Sequence, residues 1–233
     1  MTMTRKNNSL NICAAALAML AATGLAIGAE QPAMQAGVHV EMAVTNRAAA
    51  LPEADAPEAV VVAITADGGE YVGVRKSSEA ELAGRLKAAL AAQSGKRVYI
   101  KADARAGYGV VQRAFESARS AGAGAVFLLT DQPTPAGRAN PLPPMGIKLH
   151  TKPANGAAVV QAPDRTQPRA VRVDGKDIGV EDLAAAIRRM AQEHGARPVR
   201  LEANVEIAFQ DVARIVDACR EAGAEVYLAT TRR

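Results

Sequence analysis

An internal repeat is the feature of this sequence that most constrains its fold. The stretch IKADARAGYGVVQRAFESARSAG occupies residues 100–122, and the stretch LEANVEIAFQDVARIVDACREAG occupies residues 201–223. At an offset of 101 their apolar positions coincide, and spacings of three and four place each set on one face of a helix. Because the period is too long for a solenoid, the repeat predicts two copies of one small domain.

Each copy shows the same predicted order of elements. Ser78, followed by acidic residues, predicts a helix start, and Gly122 and Gly223 predict left-handed caps at the end of the second helices. The runs KRVYIKAD and RPVRLEAN indicate strands between the helices, and AVVVAITADGGEYVGV indicates a hairpin with its turn at residues 67–69. Short alternating segments, GVHVEM and GIKLHT, precede the two copies and are each typical of a strand.

The predicted fold class is therefore α/β (α+β), with two tandem small β-β-α-β-α-β domains, each preceded by an extended preamble strand. We assign residues 37–131 to the first domain and residues 146–230 to the second. Residues 132–145 between them are rich in proline, which cannot continue a helix or a central strand, and are predicted to be a linker. A chain of 233 residues has room for two domains of about 90 residues each, and we expect them to fold separately.

The N-terminus predicts export from the cytoplasm. Arg5 and Lys6 precede an apolar, alanine-rich run at residues 12–28, and small residues continue to Ala29. This is the layout of a secretory signal peptide within residues 1–29, with cleavage expected between Ala26 and Ala29. An uncleaved membrane anchor is the alternative, although the run is shorter than the about 20 residues of a typical span.

The remaining composition argues against catalysis and against nucleic-acid binding. The net charge is only +4, aromatic residues make up 3% of the chain, and tryptophan is absent, so a basic footprint with stacking platforms is not indicated. His39, His150 and His194 stand apart from other metal-ligand residues, and no phosphate loop or nucleophile elbow is present. The sequence predicts no enzyme, no metal site and no cofactor, and Cys219 is interpreted as a small core residue.

The first copy resembles the periplasmic domain of the ExbD/TolR family. The resemblance is carried by the hairpin VAITADG, the strand end IKAD, the helix start YGVV and the helix end ARSAG, and it covers residues 37–131. The second copy is similar but degenerate, with Asn204 in place of Asp103 and AFQ in place of GYG.

This resemblance implies a component of a proton-driven machine of the cell envelope. Members of the family are non-enzymatic subunits of inner-membrane motors that drive biopolymer transport. They work with ExbB/TolQ-like and TonB/TolA-like proteins in TonB- or Tol-type systems, so these are the partners implied here, and peptidoglycan is a further candidate. The resemblance also implies dimerisation, either as a homodimer or as a pseudo-dimer within this chain, and a location in the periplasm or on the periplasmic side of the inner membrane.

In the family, an extended segment ahead of the domain can add as a strand to a partner or to a sister subunit. The two preambles lie at that position. Strand addition uses backbone hydrogen bonds for affinity and alternate side chains for register. The candidate partner-binding residues are therefore Val38, Val40, Met42, Ile147 and Leu149. The alternative is that these segments only complete sheets of their own chain.

One family feature is missing from the sequence. Family motors carry a proton-handling aspartate in a single N-terminal transmembrane helix, where an ionisable group is costly and therefore marks function. Residues 12–28 contain no Asp, Glu, Lys, Arg or His. We expect the chain not to carry protons itself.

Two function classes follow from the sequence. The first is an ExbD/TolR-like component of an envelope energy-transduction system that lacks the proton-carrying aspartate. The second is a stand-alone periplasmic binding or scaffold module for peptidoglycan or an envelope protein, because a fold does not decide function by itself. Co-purification of a motor subunit distinguishes the two classes.

Overall fold

The computed structural model describes residues 38–133, 143–152, 155–163 and 170–230. All of them belong to one compact unit of the chain. The predicted signal peptide or anchor, residues 1–29, and residues 134–142 of the predicted linker lie outside the described residues.

The first repeat is built on a sheet with strand order β1-β7-β6-β5-β2-β3-β4. The strands are β1 (Ala49–Ala50), β2 (Val60–Ile64), β3 (Glu70–Val72), β4 (Arg75–Ser77), β5 (Arg97–Ala102), β6 (Ala125–Thr130) and β7 (Met145–Leu149). The helices are α1 (Glu79–Ala91) and α2 (Tyr108–Ser120), and a 3-10 helix covers Pro52–Asp55. Strands β2, β5 and β6 are parallel neighbours, whereas β3 and β4 form an antiparallel hairpin at one side.

The second repeat has the same order of elements around a sheet with strand order β10-β9-β8-β11-β12. Its strands are β8 (Ala158–Gln161), β9 (Ala170–Val173), β10 (Lys176–Gly179), β11 (Val199–Ala203) and β12 (Val226–Thr230). Its helices are α3 (Leu183–His194) and α4 (Phe209–Glu221), with a 3-10 turn at Val180–Asp182. Strands β8, β11 and β12 are parallel neighbours, as are their counterparts in the first repeat.

The predicted fold class of two tandem α/β (α+β) domains is confirmed, and the sheets contain three strands that were not predicted: β1 and β4 in the first repeat and β10 in the second. Strands β4 and β10 are short and polar, so alternation did not reveal them. Strand β10 follows β9 through Asp174 and Gly175, both of which have positive φ, at 45° and 85°. Such a pair forms the tight turn that suits a two-residue hairpin.

The helix boundaries follow the predicted capping signals. At the start of α1 the Glu81 carboxylate accepts the backbone N–H of Ser78 at 3.1 Å, which completes a capping box. Gly122 and Gly223, just beyond α2 and α4, have φ of +87° and +81°, so both helices end in the left-handed conformation that glycine adopts without strain.

A single apolar cluster joins the interiors of the two repeats. Helix α2 supplies Phe115, which is fully buried and meets the ring of Tyr227 on β12 edge-on, with ring centroids 5.5 Å apart. The hydroxyl of Tyr108 donates to the carbonyl of Ala229 on the same strand at 2.7 Å. The predicted domain boundaries and separate folding stay predictions, because a shared core does not itself test either of them.

The two repeats also pair directly through the loops that precede α2 and α4. Residues 104–109 and 205–210 run antiparallel, with Gly107 opposite Ala208. Their bonds are reciprocal, with N–H to carbonyl distances of 2.8–2.9 Å: Tyr108 to Ile207, Phe209 to Ala106, Gly109 to Val205, and Gln210 to Ala104. Equivalent residues of the two repeats therefore make equivalent bonds, which is the pattern of a two-fold dimer contained in one chain.

The side chains on this seam are not equivalent. A Cβ atom built on Gly109 would lie 2.8 Å from the Cβ of Val205, closer than real Cβ atoms approach. The reciprocal pair is Gln210 with Ala104, in which the larger side chain again belongs to the loop of the second repeat. The GYG motif of the first repeat is thereby explained, because glycine at position 109 leaves room for the valine of the second repeat.

We predict that Gly109→Ala destabilises the protein by a net amount of about 1–2 kcal/mol. The added methyl group overpacks against Val205, and this cost exceeds the gain from the higher helix propensity of alanine. The measurement is urea unfolding followed by circular dichroism. Val205→Gly serves as the matched partner change, since removing that side chain relieves the contact. The double variant should be more stable than the sum of the two single effects allows, and strict additivity would contradict the assigned contact.

Candidate functional site

The first preamble is extended but is not a regular strand. Val40 is buried, whereas Val38 and Met42 are half-buried. Met42 forms an isolated antiparallel bridge with Asp103, and Val44 forms an isolated parallel bridge with Asp131. The predicted strand is absent here because the segment runs across the carboxyl ends of β5 and β6, where it cannot follow a neighbouring strand for several residues.

The second preamble, in contrast, is a full strand of the first repeat's sheet. Ile147 and Leu149 lie on β7, which pairs antiparallel with β6 over five residue pairs, and both side chains are almost completely buried. Gly146 on the same strand approaches β6 so closely that an added Cβ would lie 2.6 Å from the Leu128 carbonyl oxygen. Strand addition thus occurs between the repeats of this chain. Binding of a separate partner by either preamble stays a prediction.

Asp103 anchors the first preamble at the end of β5. Its carboxylate accepts the backbone N–H of Glu41 at 3.3 Å and three hydrogen bonds from Arg105, whose guanidinium also lies 3.3 Å from the Glu41 carboxylate. The Ala104 N–H returns a bond to the Glu41 carbonyl at 2.7 Å. Asp103, the last residue of the IKAD motif, therefore binds the first preamble and also shapes the loop that follows β5.

The hydrogen bonds from Arg105 hold the pKa of the Asp103 carboxyl at about 2, against the desolvation that acts to raise it. In the second repeat Asn204 has the same loop role, since its side-chain oxygen accepts the Glu206 N–H at 3.0 Å. An uncharged amide can therefore make the hydrogen bond that shapes this loop. The negative charge of Asp103 is needed only for its ion pair with Arg105.

Helix α4 of the second repeat holds the residues that follow the first preamble, mainly through the backbone of those residues. The side-chain amide of Gln210 accepts the Val44 N–H at 2.9 Å and donates to the Val44 carbonyl at 3.2 Å, as a neighbouring strand would. The Asp217 carboxylate accepts the backbone N–H groups of Asn46 and Arg47, each at 2.8 Å. Two side-chain contacts accompany these bonds: the Asn46 amide donates to Asp217 at 3.4 Å, and the Arg47 guanidinium lies 3.7 Å from the Glu221 carboxylate. This clamp, defined as Gln210 and Asp217, therefore binds mainly the backbone groups of the segment.

Sequence reasoning missed the clamp. The signals were present, because Gln210 stands where the first repeat has Gly109, and Asp217 aligns with the acidic Glu116. The first repeat uses Glu116 differently: its carboxylate accepts the hydroxyl of Tyr227 at 3.0 Å and pairs with Arg119 at 2.6 Å. Both acids face the other repeat, which helix periodicity alone does not show.

Other buried charges lie away from the preambles. Burial raises the pKa of Glu70, and the nearby positive charge of Arg113 acts in the opposite direction. One carboxyl oxygen of Glu70 has no hydrogen-bond partner. Burial lowers the pKa of Lys101 on the opposite face of the first sheet. At the end of the second preamble, the partly exposed His150 pairs with the exposed Glu225 at 2.9 Å. Within the four described ranges, no group of three or more His, Cys, Asp or Glu is arranged to hold a metal ion.

We predict that Asp103→Asn lowers the free energy of unfolding by about 1 kcal/mol at pH 7, because the partner Arg105 is mostly exposed and the charged bonds are replaced by weaker ones. A carboxyl whose folded pKa is depressed stabilises the fold above its unfolded pKa of about 3.8 and loses that contribution as the pH falls toward 2. The difference between wild type and variant should therefore shrink below pH 4 in urea titrations monitored by circular dichroism. Asp211→Asn, at an exposed ion pair, serves as the control with little effect at any pH.

A difference that stays constant from pH 7 to pH 3 would contradict this role of the Asp103 charge. So would an Asp103→Asn variant whose preamble amides exchange hydrogen at the wild-type rate, because Glu41 and Ala104 lie in the bonds that the carboxylate supports.

Comparison with known proteins bears on both repeats. No helix in the described part of the chain is long and apolar enough to cross a membrane. No curated protein and no solved structure matches the chain. The family model described as biopolymer transport protein ExbD/TolR matches residues 22–132 and again residues 144–233, which is most of the sequence in two tandem copies. The chain therefore belongs to the ExbD/TolR family of biopolymer transport proteins.

Proposed function

We propose that this protein is a periplasmic component of a TonB- or Tol-type energy-transduction system that binds its partners without carrying protons. One observation carries the proposal: both repeats match the ExbD/TolR family, while the apolar run at residues 12–28 contains no ionisable group. The family relation supports a role in envelope transport. Because residues 12–28 contain no acidic residue that could carry protons, we propose that the role is binding and positioning of partners and not proton conduction.

The N-terminal run supplies the proposed location. As a cleaved signal peptide it releases both repeats into the periplasm, and as an anchor it holds them at the periplasmic face of the inner membrane. We propose cleavage, because the run is short and rich in alanine.

The proposed partners are an ExbB/TolQ-like channel protein and a TonB/TolA-like protein. Of the two preambles, the first is the better candidate for strand addition to such a partner. It makes only isolated bridges, whereas Ile147 and Leu149 are buried in a ladder of five residue pairs. A partner strand that engages Val38, Val40 and Met42 has fewer existing bonds to replace, so exchange there costs less.

The position of the clamp also supports the first preamble as the segment that pairs with a partner strand. Gln210 and Asp217 bind the backbone of Val44, Asn46 and Arg47, directly after the candidate residues. The clamp therefore holds the downstream end in place when the upstream end is exchanged. In this way residues 38–42 can pair with a partner while the tether remains fixed to the second repeat.

The first experiment tests the location. Mass spectrometry of the exported protein should find a new N-terminus within residues 27–30, because small residues occupy the positions that signal peptidase reads. Full-length protein that retains Met1 in the membrane fraction would favour the anchor instead.

The second experiment tests the function. We expect the protein to fail to replace an ExbD or TolR subunit in cells that lack one, because no aspartate can relay protons across the membrane. It should still bind a TonB- or TolA-like periplasmic domain in pull-down assays. Val40→Pro should weaken that binding by removing a backbone donor, whereas Val40→Thr, which keeps the N–H and the side-chain shape, should retain it.

Restored iron–siderophore uptake by the unmodified protein would overturn the claim that it carries no protons. Binding to isolated peptidoglycan, without binding to any motor protein, would favour the stand-alone module predicted as the alternative from the sequence.

A further inference from the structure

The second repeat contains a cavity of about 240 Å³, partly open to solvent, near the carboxyl ends of helices α3 and α4. It lies beside the first residues of strands β8 and β11. Its wall is mainly apolar and includes Ala158, Ile187, Met190, Ala191, Pro198 and Val199. Its volume exceeds the about 150 Å³ of an enclosed apolar cavity that binds benzene, so it has room for a group of that size.

The first repeat shows what is missing from this cavity. Helix α1 buries three leucines along one face, at positions 82, 86 and 90, and Leu90 is only 2% exposed. At the repeat offset of 101 these positions correspond to Leu183, Ile187 and Ala191. The first two counterparts are apolar and buried, but Ala191 is smaller and half-buried. The second repeat therefore lacks the leucine side chain that closes the core at the end of α1.

Neighbouring groups do not fill the space. Met190, the nearest long apolar side chain on α3, is only half-buried. Helix α3 ends at His194, and Gly195, the next residue, has φ of +81°, so the chain leaves the helix there and continues through Ala196 to Pro198. The cavity thus persists because the helix ends beside a position occupied by alanine.

The rim of the cavity is charged while its wall is apolar. Arg197 lies 3.9 Å from Asp174, and Glu225 pairs with His150 at 2.9 Å. An apolar socket surrounded by polar groups is the arrangement found where a single apolar anchor residue of a partner protein is buried.

We propose that this cavity is a binding pocket for one leucine-sized side chain presented by a partner polypeptide. The sister repeat supplies the template, because Leu90 fills the equivalent place from within its own helix. The pocket lies away from the first preamble and the clamp, so this inference does not rest on the proposed strand addition.

The test uses the full-length chain and two-dimensional amide NMR. Benzene, whose size is close to that of a leucine side chain, should shift the amide signals of Gly195, Ala196 and Gly223 and raise Tm by about 2–4 °C near saturation. The blocked tripeptide acetyl-Ala-Leu-Ala-amide should shift the same signals, and acetyl-Ala-Ala-Ala-amide should shift them at least tenfold less at equal concentration.

Ala191→Leu is the matched variant, because it rebuilds the first repeat's packing. It should raise Tm by itself and abolish both the benzene and the leucine-peptide responses. Ala191→Met is a second filled variant in case leucine does not fit. The proposal is overturned if benzene leaves these amides unmoved. It is equally overturned if the leucine and alanine peptides act alike, or if a folded, filled variant still responds.

Discussion

The structure depends on the antiparallel contact between the loops that precede α2 and α4. Four backbone hydrogen bonds cross it in reciprocal pairs, each of the kind that contributes about 1 kcal/mol net. The contact brings helix α2 against β12, so that Phe115 meets Tyr227 and Tyr108 reaches the Ala229 carbonyl. Since the backbone makes the bonds, the contact tolerates divergence of the side chains around it.

Joining two copies in one chain has allowed their shared surfaces to differ. A homodimer must use one residue for both sides of its interface, whereas here Gly109 faces Val205 and Gln210 faces Ala104. Gln210 is thereby free to act in the clamp that holds Val44. The degeneracy of the second repeat is therefore in part a division of roles.

The preambles show the same asymmetry. The second preamble has become strand β7 of the first repeat's sheet, with its side chains in the core. The first preamble crosses strand ends and is held at Glu41 by Asp103, and the residues directly after it are held by Gln210 and Asp217. Similar alternating sequences thus have different structures, because β7 has the length of β6 beside it and the first preamble has only strand ends. That difference makes the first preamble the more exchangeable of the two.

The sequence by itself determined the repeat, the order of the helices and of the longer strands, the caps at Ser78, Gly122 and Gly223, and the family. These features follow from local periodicity and capping chemistry, which act within a few residues. Only the tertiary structure decided the pairing of β7 with β6, the clamp on Val44 and the cavity beside Ala191. Each of these depends on residues about twenty to 170 positions apart, and a one-dimensional pattern carries no information about which distant surfaces meet.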